Sequence, residues 1–334
     1  MIWLVLVSQI VLPLGLLLWL ALAPAHSLMG YAMQVAGVGA FLLAFALVAQ
    51  WAVVPWWLPR LYAGLFVLAI LVHVLRGHLS GLAVLPSGVG GWASITASFV
   101  LLGLGAWYGP AAVAGRVLPP VPVVDIANPF GPGTYLVGSG GSREIVNAHL
   151  RTLDPEMDRY RPWRGQSYAV DFFGLTNWGT RAAGLRPADP AAYAIFGADL
   201  HAPCAGEVMA TEDHMPDFQV PDQDTVNRLG NHVLLRCGDA VIVFAHMRQG
   251  SVAVSPSQNV TLGTRLGEVG NSGASTEPHL HIHAQRAAAE GDPPISGTPL
   301  ALRIDGRFLV RNERLRGRDR FEGELSGDRP GQAR

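Results

Sequence analysis

Residues 279–284 read His-Leu-His-Ile-His-Ala, an alternation of imidazole and apolar side chains that is typical of a β-strand with one buried face. Successive side chains of a strand point to opposite faces of the sheet, so Leu280 and Ile282 face a core while the histidines share the other face. The Gly-Asn-Ser-Gly sequence at 270–273 and Pro278 predict a tight turn before this strand. The strand therefore presents the two converging imidazoles of a His-x-His pair, with a third histidine in line with them.

Five further runs of apolar and β-branched residues lie in the same part of the chain, between turns formed by Gly, Asn, Asp and Pro. They occupy residues 167–172, 206–210, 232–237, 240–246 and 265–269. Short strands separated by turns at this spacing predict a mainly antiparallel β domain.

The N-terminal third has the composition of a membrane segment. Residues 1–124 contain no acidic residue, and their basic residues are Arg60, Arg76 and Arg116 alone. Four stretches are apolar over the length of about 20 residues that a helix needs to cross a lipid bilayer. These stretches are roughly 2–23, 31–54, 58–76 and 92–115. The sequence thus predicts an all-α membrane region of about four transmembrane helices.

The orientation of these helices follows only weakly from charge. The three arginines lie near successive helix ends and do not gather on one side, while an even number of helices puts both chain ends on the same side. The absence of basic residues before the first helix favours an outside N-terminus, and hence a C-terminal domain outside the cytoplasm. A cleaved signal peptide at 1–23 is the competing interpretation, but this stretch lacks a basic start and is longer than the usual apolar core.

Aromatic and ionisable residues in this region favour an anchor over a transporter. Trp51, Trp56 and Trp57 lie beside the start of the third stretch, and indole rings prefer the headgroup zone of a bilayer. His73 lies inside a predicted helix, where a lone histidine is more often paired with a neighbouring helix than functional.

Composition changes sharply after the fourth predicted helix. Prolines at 119, 120 and 122 and the Asn-Pro-Phe-Gly-Pro-Gly sequence at 128–133 cannot continue a helix. The predicted organisation is an anchor at 1–116, a linker and domain entry at 117–140, a β domain at 141–310 and a disordered tail at 311–334, which is rich in Arg, Glu, Gly and Asp. Residues 125–334 carry 21 of the 24 basic residues and all 25 acidic ones, so their formal charge of −4 excludes a nucleic-acid partner.

The two cysteines, Cys204 and Cys237, lie at the ends of neighbouring predicted strands. A disulfide between them requires an oxidising compartment, which the membrane context allows. Two buried free thiols and two additional metal ligands are the alternatives, and the disulfide is favoured over both.

Three ordered motifs carry a resemblance to a known family. They are Tyr-Ala-Val-Asp-Phe at 168–172, Val-Phe-Ala-His-Met at 243–247 and Gly-Glu-Val-Gly-Asn-Ser-Gly-Ala-Ser-Thr-Glu-Pro-His-Leu-His at 267–281. The region from about 132 to 300 resembles the LytM/lysostaphin zinc endopeptidases. The resemblance implies their hammerhead-like β-sheet fold. It does not extend to the membrane helices, which the family tolerates without requiring them.

The resemblance also implies roles for four residues. Asp171 and His281 become ligands of one Zn²⁺ per domain, and His246 and His279 become the catalytic histidines. A catalytic zinc keeps three protein ligands and leaves a position for water, whose pKa it lowers to about 7. One imidazole can take the proton and a second can stabilise the oxyanion, and we expect His246 and His279 to share these duties. The implied function is hydrolysis of peptide bonds in peptidoglycan by a multi-pass protein of the bacterial cytoplasmic membrane, with its catalytic domain on the extracytoplasmic side.

The sequence departs from the family pattern at one ligand. The usual first ligand is a histidine four residues before the aspartate, and that position is Ser167 here. Zinc prefers imidazole to a hydroxyl group, so another histidine is expected to reach the metal. His149, in Val-Asn-Ala-His-Leu at 146–150, is the favoured candidate because it resembles an Asn-x-His variant of the family, and His214 is the second. Without a replacement the site would be degenerate, and the protein would bind cell wall or activate another hydrolase.

Other histidines receive weaker interpretations. His283 shares the face of the His-x-His pair and is a candidate for a hydrogen bond to a ligand or to substrate. His201 and His232 are expected to be structural or solvated. A biotinyl or lipoyl carrier, whose sheet has similar turns, is excluded because the chain has no lysine for attachment.

Overall fold

The structure is a computed structural model and describes residues 2–318. The chain divides into two compact units, Met1–Gly115 and Arg116–Arg334. Each unit contains hydrophobic clusters of its own.

Four helices form the N-terminal unit: α1 (Ile2–Leu22), α2 (Leu28–Val48), α3 (Leu58–Leu75) and α4 (Gly88–Ala114). Each is long and apolar enough to cross a membrane, so the prediction of four such helices is confirmed. Helix α2 begins earlier than expected because Ser27 caps it, accepting a hydrogen bond from the amide of Gly30 at 2.9 Å. It also ends at Val48, so the predicted extension to residue 54 is wrong.

Two buried side chains of this unit, His73 and Trp51, pair with backbone carbonyl groups. The Nδ1 atom of His73 lies 3.1 Å from the carbonyl oxygen of Leu20, and its ring stacks on Tyr31 with centroids 4.1 Å apart. Trp51 is 1% exposed and its Nε1 donates to the carbonyl oxygen of Ala46 at 3.1 Å. Trp51 is therefore a packing residue, and its predicted role as a headgroup anchor is wrong.

The C-terminal unit contains twelve strands in the region that the structure describes. They are β1 (Val123–Ile126), β2 (Thr134–Ser139), β3 (Val170–Gly174), β4 (Asp199–His201), β5 (Gly206–Glu212), β6 (Asn231–Cys237), β7 (Ala240–Met247), β8 (Asn259–Val260), β9 (Arg265–Glu268), β10 (Leu280–Gln285), β11 (Pro299–Ile304) and β12 (Arg314–Arg316). The main sheet runs β12-β2-β3-β10-β7-β6-β5-β8, with β11 pairing β10 and β1, and β4 pairs β9 separately. All pairs are antiparallel except β1 with β11, so the predicted fold class is confirmed.

The core lies on one face of the main sheet, and the other face carries the histidines of β10. Leu280, Ile282 and Ala284 belong to the core cluster and are fully buried. The opposite face is shielded by two short 3₁₀ helices, Ala148–Leu153 and Asp158–Gln166. The amide of Gly165, near the end of the second of them, donates to the carbonyl oxygen of Ile295 at 2.9 Å.

Two expectations about chain boundaries differ from the structure. The segment 117–140, predicted as a linker and domain entry, contributes β1 and β2, so strands of the C-terminal unit begin at Val123 instead of after residue 140. The predicted tail at 311–334 begins with β12, which pairs with β2; Leu315 enters the core while Arg314 and Arg316 face outward. Composition does not predict this strand, because its one apolar residue lies between two arginines. The rest of the predicted tail, residues 319–334, lies outside the described residues.

Candidate metal and catalytic site

Strand β10 lies between β3 and β7, and this position assembles the centre of the site. His281 is the Cα partner of Asp171 on β3 and of Ala245 on β7. Directly opposite residues of neighbouring strands direct their side chains to the same face. The Nδ1 atom of His281 therefore lies 3.0 Å from Oδ1 of Asp171, although the two residues are 110 positions apart in the chain.

His149 reaches the same carboxylate from the first 3₁₀ helix. Asn147 caps this helix, accepting at Oδ1 from the backbone amide of His149 at 3.1 Å, and the same oxygen lies 3.0 Å from Nδ1 of His149. Since an amide oxygen only accepts, Nδ1 carries the proton and Nε2 keeps its lone pair. That Nε2 lies 3.4 Å from Oδ2 of Asp171. One ligand atom from each of His149, Asp171 and His281 thus lies within 4.8 Å of the others.

Ser167 is turned away from this cluster. It follows the second 3₁₀ helix and precedes β3, which begins at Val170, so the predicted strand start at 167 is wrong. Its side chain is fully buried, with Oγ donating to the carbonyl oxygen of Arg164 at 2.6 Å and lying 2.8 Å from Oγ1 of Thr152. The position that usually supplies a histidine is therefore occupied by local hydrogen bonding.

Two further imidazoles stand beside the cluster. The rings of His246 and His279 have centroids 4.7 Å apart, and that of His246 lies 5.8 Å from the ring of His281. His246 has a φ of 62°, which is uncommon for a residue with a side chain. Backbone hydrogen bonds hold it there: its amide donates to Leu229 and its carbonyl accepts from Gly270, both at 2.9 Å.

A cavity of about 250 Å³ opens over these side chains. The five residues just described line it together with neighbours from four other segments: Gln166, Arg228, Leu229, Ala274, Thr276 and Ile295. The structure therefore brings all five predicted site residues to one concave surface.

Burial governs the protonation of the site. It lowers the pKa of His149 to about 4, against the attraction of Asp171, and with the nearby His279 it lowers the pKa of His246 well below its usual value. Burial acts to raise the pKa of Asp171, but His149 and His281 outweigh it and hold that pKa well below its usual range. At neutral pH the cluster thus combines neutral imidazole with carboxylate, the ligand types of catalytic zinc sites.

Residues 192–293 match the model of peptidase family M23. This span includes the second and third sequence motifs, with His246, His279 and His281. This part of the chain is therefore similar to peptidase family M23. The match confirms the resemblance to LytM/lysostaphin-type peptidases and supports peptide hydrolysis as the class of activity. Asp171 and His149 lie upstream of the matched span.

Solved structures of similar proteins include three peptidases. A Pseudomonas aeruginosa protein described as an M23 peptidase is 20% identical, with 54% of this chain and 53% of that chain covered and a TM-score of 0.26. Lysostaphin from Staphylococcus simulans is 22% identical, with 38% of this chain and 41% of that chain covered and a TM-score of 0.23. A zinc-containing peptidase from Vibrio cholerae is 16% identical, with 45% of this chain and 48% of that chain covered and a TM-score of 0.22. The chain spans about half the length of these proteins, or less. No curated protein sequence matches the chain.

The remaining predicted residues are not among the three clustered ligands or the two imidazoles beside them. His214, the second candidate ligand, is exposed in the loop after β5, and His232 pairs through Nδ1 with the carbonyl oxygen of Gly230 at 2.8 Å. Cys204 and Cys237 form a disulfide, which confirms the favoured interpretation and removes them as metal ligands. His283 lies next to His281, with its Nδ1 3.1 Å from Nε2 of His281.

Sequence reasoning missed several polar residues of the site. Arg228 and Gln166 line the cavity, and no motif marks either of them. Ser272 accepts at its carbonyl oxygen from Nδ1 of His246 at 2.9 Å, and it lies in the Gly-Asn-Ser-Gly turn that was interpreted only as a turn. Backbone acceptors of this kind leave no signal in the side-chain pattern.

Proposed function

We propose that this protein is a membrane-anchored zinc endopeptidase that cleaves peptide bonds in bacterial cell-wall peptidoglycan. The observation that carries the proposal is the convergence of His149, Asp171 and His281 beside the paired imidazoles of His246 and His279. A metallohydrolase needs three protein ligands, a base and a group that stabilises negative charge, and these five side chains supply all three functions.

The metal would be held by Nε2 of His149, a carboxylate oxygen of Asp171 and Nδ1 of His281. When bound, zinc supplies a Lewis acid and lowers the pKa of water to about 7. The protein supports this arrangement through Asn147, which holds the proton of His149 on Nδ1 and so keeps Nε2 available.

His246 is suited to act as the general base. The carbonyl oxygen of Ser272 accepts from its Nδ1, so the neutral ring has its lone pair on Nε2. Burial keeps the ring neutral at pH 7 by lowering its pKa. Nε2 can then accept a proton in the cavity, while Nδ1 stays bound to the backbone.

His279 is placed beside His246 to stabilise the negative charge of the oxyanion. Its Nδ1 lies 2.9 Å from the carbonyl oxygen of Glu277 and 3.1 Å from Oγ of Ser275, which leaves Nε2 directed toward Asp171 at 3.9 Å from Oδ1. The loop that carries these acceptors is held by the ion pair of Glu277 with Arg181, at 2.6 Å. A protonated Nε2 would donate to negative charge that develops in the cavity.

The peptide would extend from this cavity into a second one of about 390 Å³. The two share Arg228, Leu229 and Ile295, so they adjoin at a common wall. The second is lined mainly by apolar and proline side chains, among them Trp163, over which the guanidinium group of Arg228 lies at 4.4 Å. Such a surface suits the side chains of a bound peptide.

Composition and redox chemistry support the proposed location. The four apolar helices fit an anchor in the cytoplasmic membrane, and the Cys204–Cys237 disulfide fits an oxidising, extracytoplasmic compartment. Peptidoglycan is the peptide-containing polymer on that side of a bacterial membrane.

The test uses the full chain purified in detergent, with metal content measured by mass spectrometry and peptide release from purified peptidoglycan followed by chromatography. His281→Ala should abolish zinc binding and peptide release, while His214→Ala, a change of an exposed histidine in the same domain, should preserve both. Peptide release that survives His281→Ala would contradict the proposal. A metal-free wild-type chain that binds cell wall would instead favour the degenerate, hydrolase-activating alternative.

A further inference from the structure

Three polar side chains lie in a row on the face of β10 that carries the site. His281, His283 and Gln285 occupy alternate positions and are 4%, 0% and 1% exposed. Nε2 of His281 lies 3.1 Å from Nδ1 of His283, and Nε2 of Gln285 donates to the carbonyl oxygen of Pro294 at 2.6 Å. His283 and Gln285 lie two residues apart on this face of β10, so their side chains are neighbours.

The carbonyl group of Pro294 sets the direction of every hydrogen bond in this row. A carbonyl oxygen only accepts, so the amide nitrogen of Gln285 must face it and Oε1 must face His283. Within residues 2–318, Oε1 of Gln285 and Nε2 of His283 are both buried and form no hydrogen bond. A proton on Nε2 of His283 would give both atoms a partner, and it would leave Nδ1 of the neutral ring as an acceptor.

The protonation of His283 also determines which nitrogen of His281 carries the proton. If Nδ1 of His283 accepts, Nε2 of His281 must carry the proton and donate, and Nδ1 of His281 then holds a lone pair. This lone pair faces Oδ1 of Asp171 at 3.0 Å. Two acceptors at that distance repel each other unless a cation lies between them.

We propose that His283 and Gln285 are positioning residues, which hold His281 in the Nε2–H tautomer and so present its Nδ1 to the metal. The inference rests on the proposed function for the identity of the metal. The row of hydrogen-bonding side chains begins at the carbonyl group of Pro294 and ends at the metal cluster.

Two glycines keep the Gln285 amide in place. A methyl group at Gly165 would overlap Oε1 of Gln285, and one at Gly297 would lie 3.1 Å from its Cδ. The backbone of the second 3₁₀ helix and of the loop after Pro294 therefore closes on the amide from two sides. An amide enclosed in this way cannot rotate to exchange its donor and acceptor.

The first measurement is the protonation of the two ring nitrogens of His281 in the zinc-loaded chain. The full chain, labelled with ¹⁵N-histidine and reconstituted in lipid, would be studied by solid-state NMR, with His281 assigned by its absence in His281→Ala. The expected spectrum shows a protonated Nε2 and an unprotonated Nδ1 for His281. A protonated Nδ1 with a bare Nε2 would overturn the proposal even if the chain binds zinc and cleaves peptides.

The second measurement is zinc affinity, by competition with a chromogenic chelator. His283→Phe keeps a ring but removes the acceptor, and should weaken binding by about 10–100-fold, the usual effect of losing a partner of a ligating histidine. His283→Gln should stay within about threefold of wild type, because its amide oxygen accepts the same bond. Gln285→Met tests the other end of the row and should also weaken zinc binding. His201→Phe, on β4, is the matched control and should keep the zinc affinity of wild type.

Equal zinc affinity in wild type, His283→Phe and Gln285→Met would overturn the positioning role. A wild-type chain that shows the expected tautomer and binds zinc, but cleaves no peptide, would remove the proposed function and leave this inference intact. The two failures are therefore distinguishable.

Discussion

Replacement of His149 by alanine tests whether a histidine from the 3₁₀ helix has taken over the usual ligand position. Nε2 of His149 lies 3.4 Å from Asp171, and its removal leaves two of the three ligands. Removing a residue that only hydrogen-bonds to a metal ligand lowers metal affinity by about 10–100-fold. Removing the ligand itself should therefore lower zinc affinity by at least about 100-fold, or about 2.7 kcal/mol. Peptide release should fall in parallel.

Ser167→Ala is the matched change at the position where related sequences place the ligand. Oγ of Ser167 bonds to the carbonyl oxygen of Arg164 and to Thr152, so its loss should lower the free energy of unfolding by about 1 kcal/mol. Zinc affinity should stay unchanged, because the hydroxyl group is directed away from Asp171. His149→Ala/Ser167→His should not recover binding, since residue 167 faces Thr152 and not the cluster.

The assay is zinc competition with a chromogenic chelator at pH 7.5, with thermal unfolding of each variant measured in the metal-free state. The reasoning fails if Ser167→Ala weakens zinc binding as much as His149→Ala does. It also fails if His149→Ala keeps wild-type affinity, because the third ligand would then come from elsewhere.

Three further predictions concern the base, the pH response and the substrate path. His246→Ala should lower kcat by about 10²–10⁴-fold while zinc content stays near wild type, and loss of the metal would refute its role as base. The metal-free chain should lose stability as the pH falls from 6.5 to about 4, because His149 binds a proton in the unfolded chain but not in the folded one. Denaturant unfolding should show that the free energy of unfolding decreases by at most about 3 kcal/mol over this range. The decrease should be smaller in His149→Ala. Trp163→Ala should raise KM for peptide substrates more than it lowers kcat, and an unchanged KM would exclude the second cavity from the substrate path.

Local patterns in the sequence were enough for the main elements of the fold. The alternation at 279–284 predicts a strand with its histidines on one face, because side-chain direction in a strand depends only on position. The four apolar stretches predict four helices for the same kind of reason, since length and composition decide whether a helix can span a bilayer. Boundaries were less accurate where a cap such as Ser27, or one buried residue such as Leu315, decides them.

The His-x-His pair, Asp171 and His246 were recognisable from the sequence because each lies in a motif with its own local signal. The convergence of these residues with His149 was decided by tertiary structure, since β10 had to pair with β3 over 110 positions and a 3₁₀ helix had to cover the sheet. Ser167 shows the difference most clearly. Its type excludes a good ligand, but only the fold shows that His149 lies where a ligand is needed, because no local pattern records which distant segments pack together.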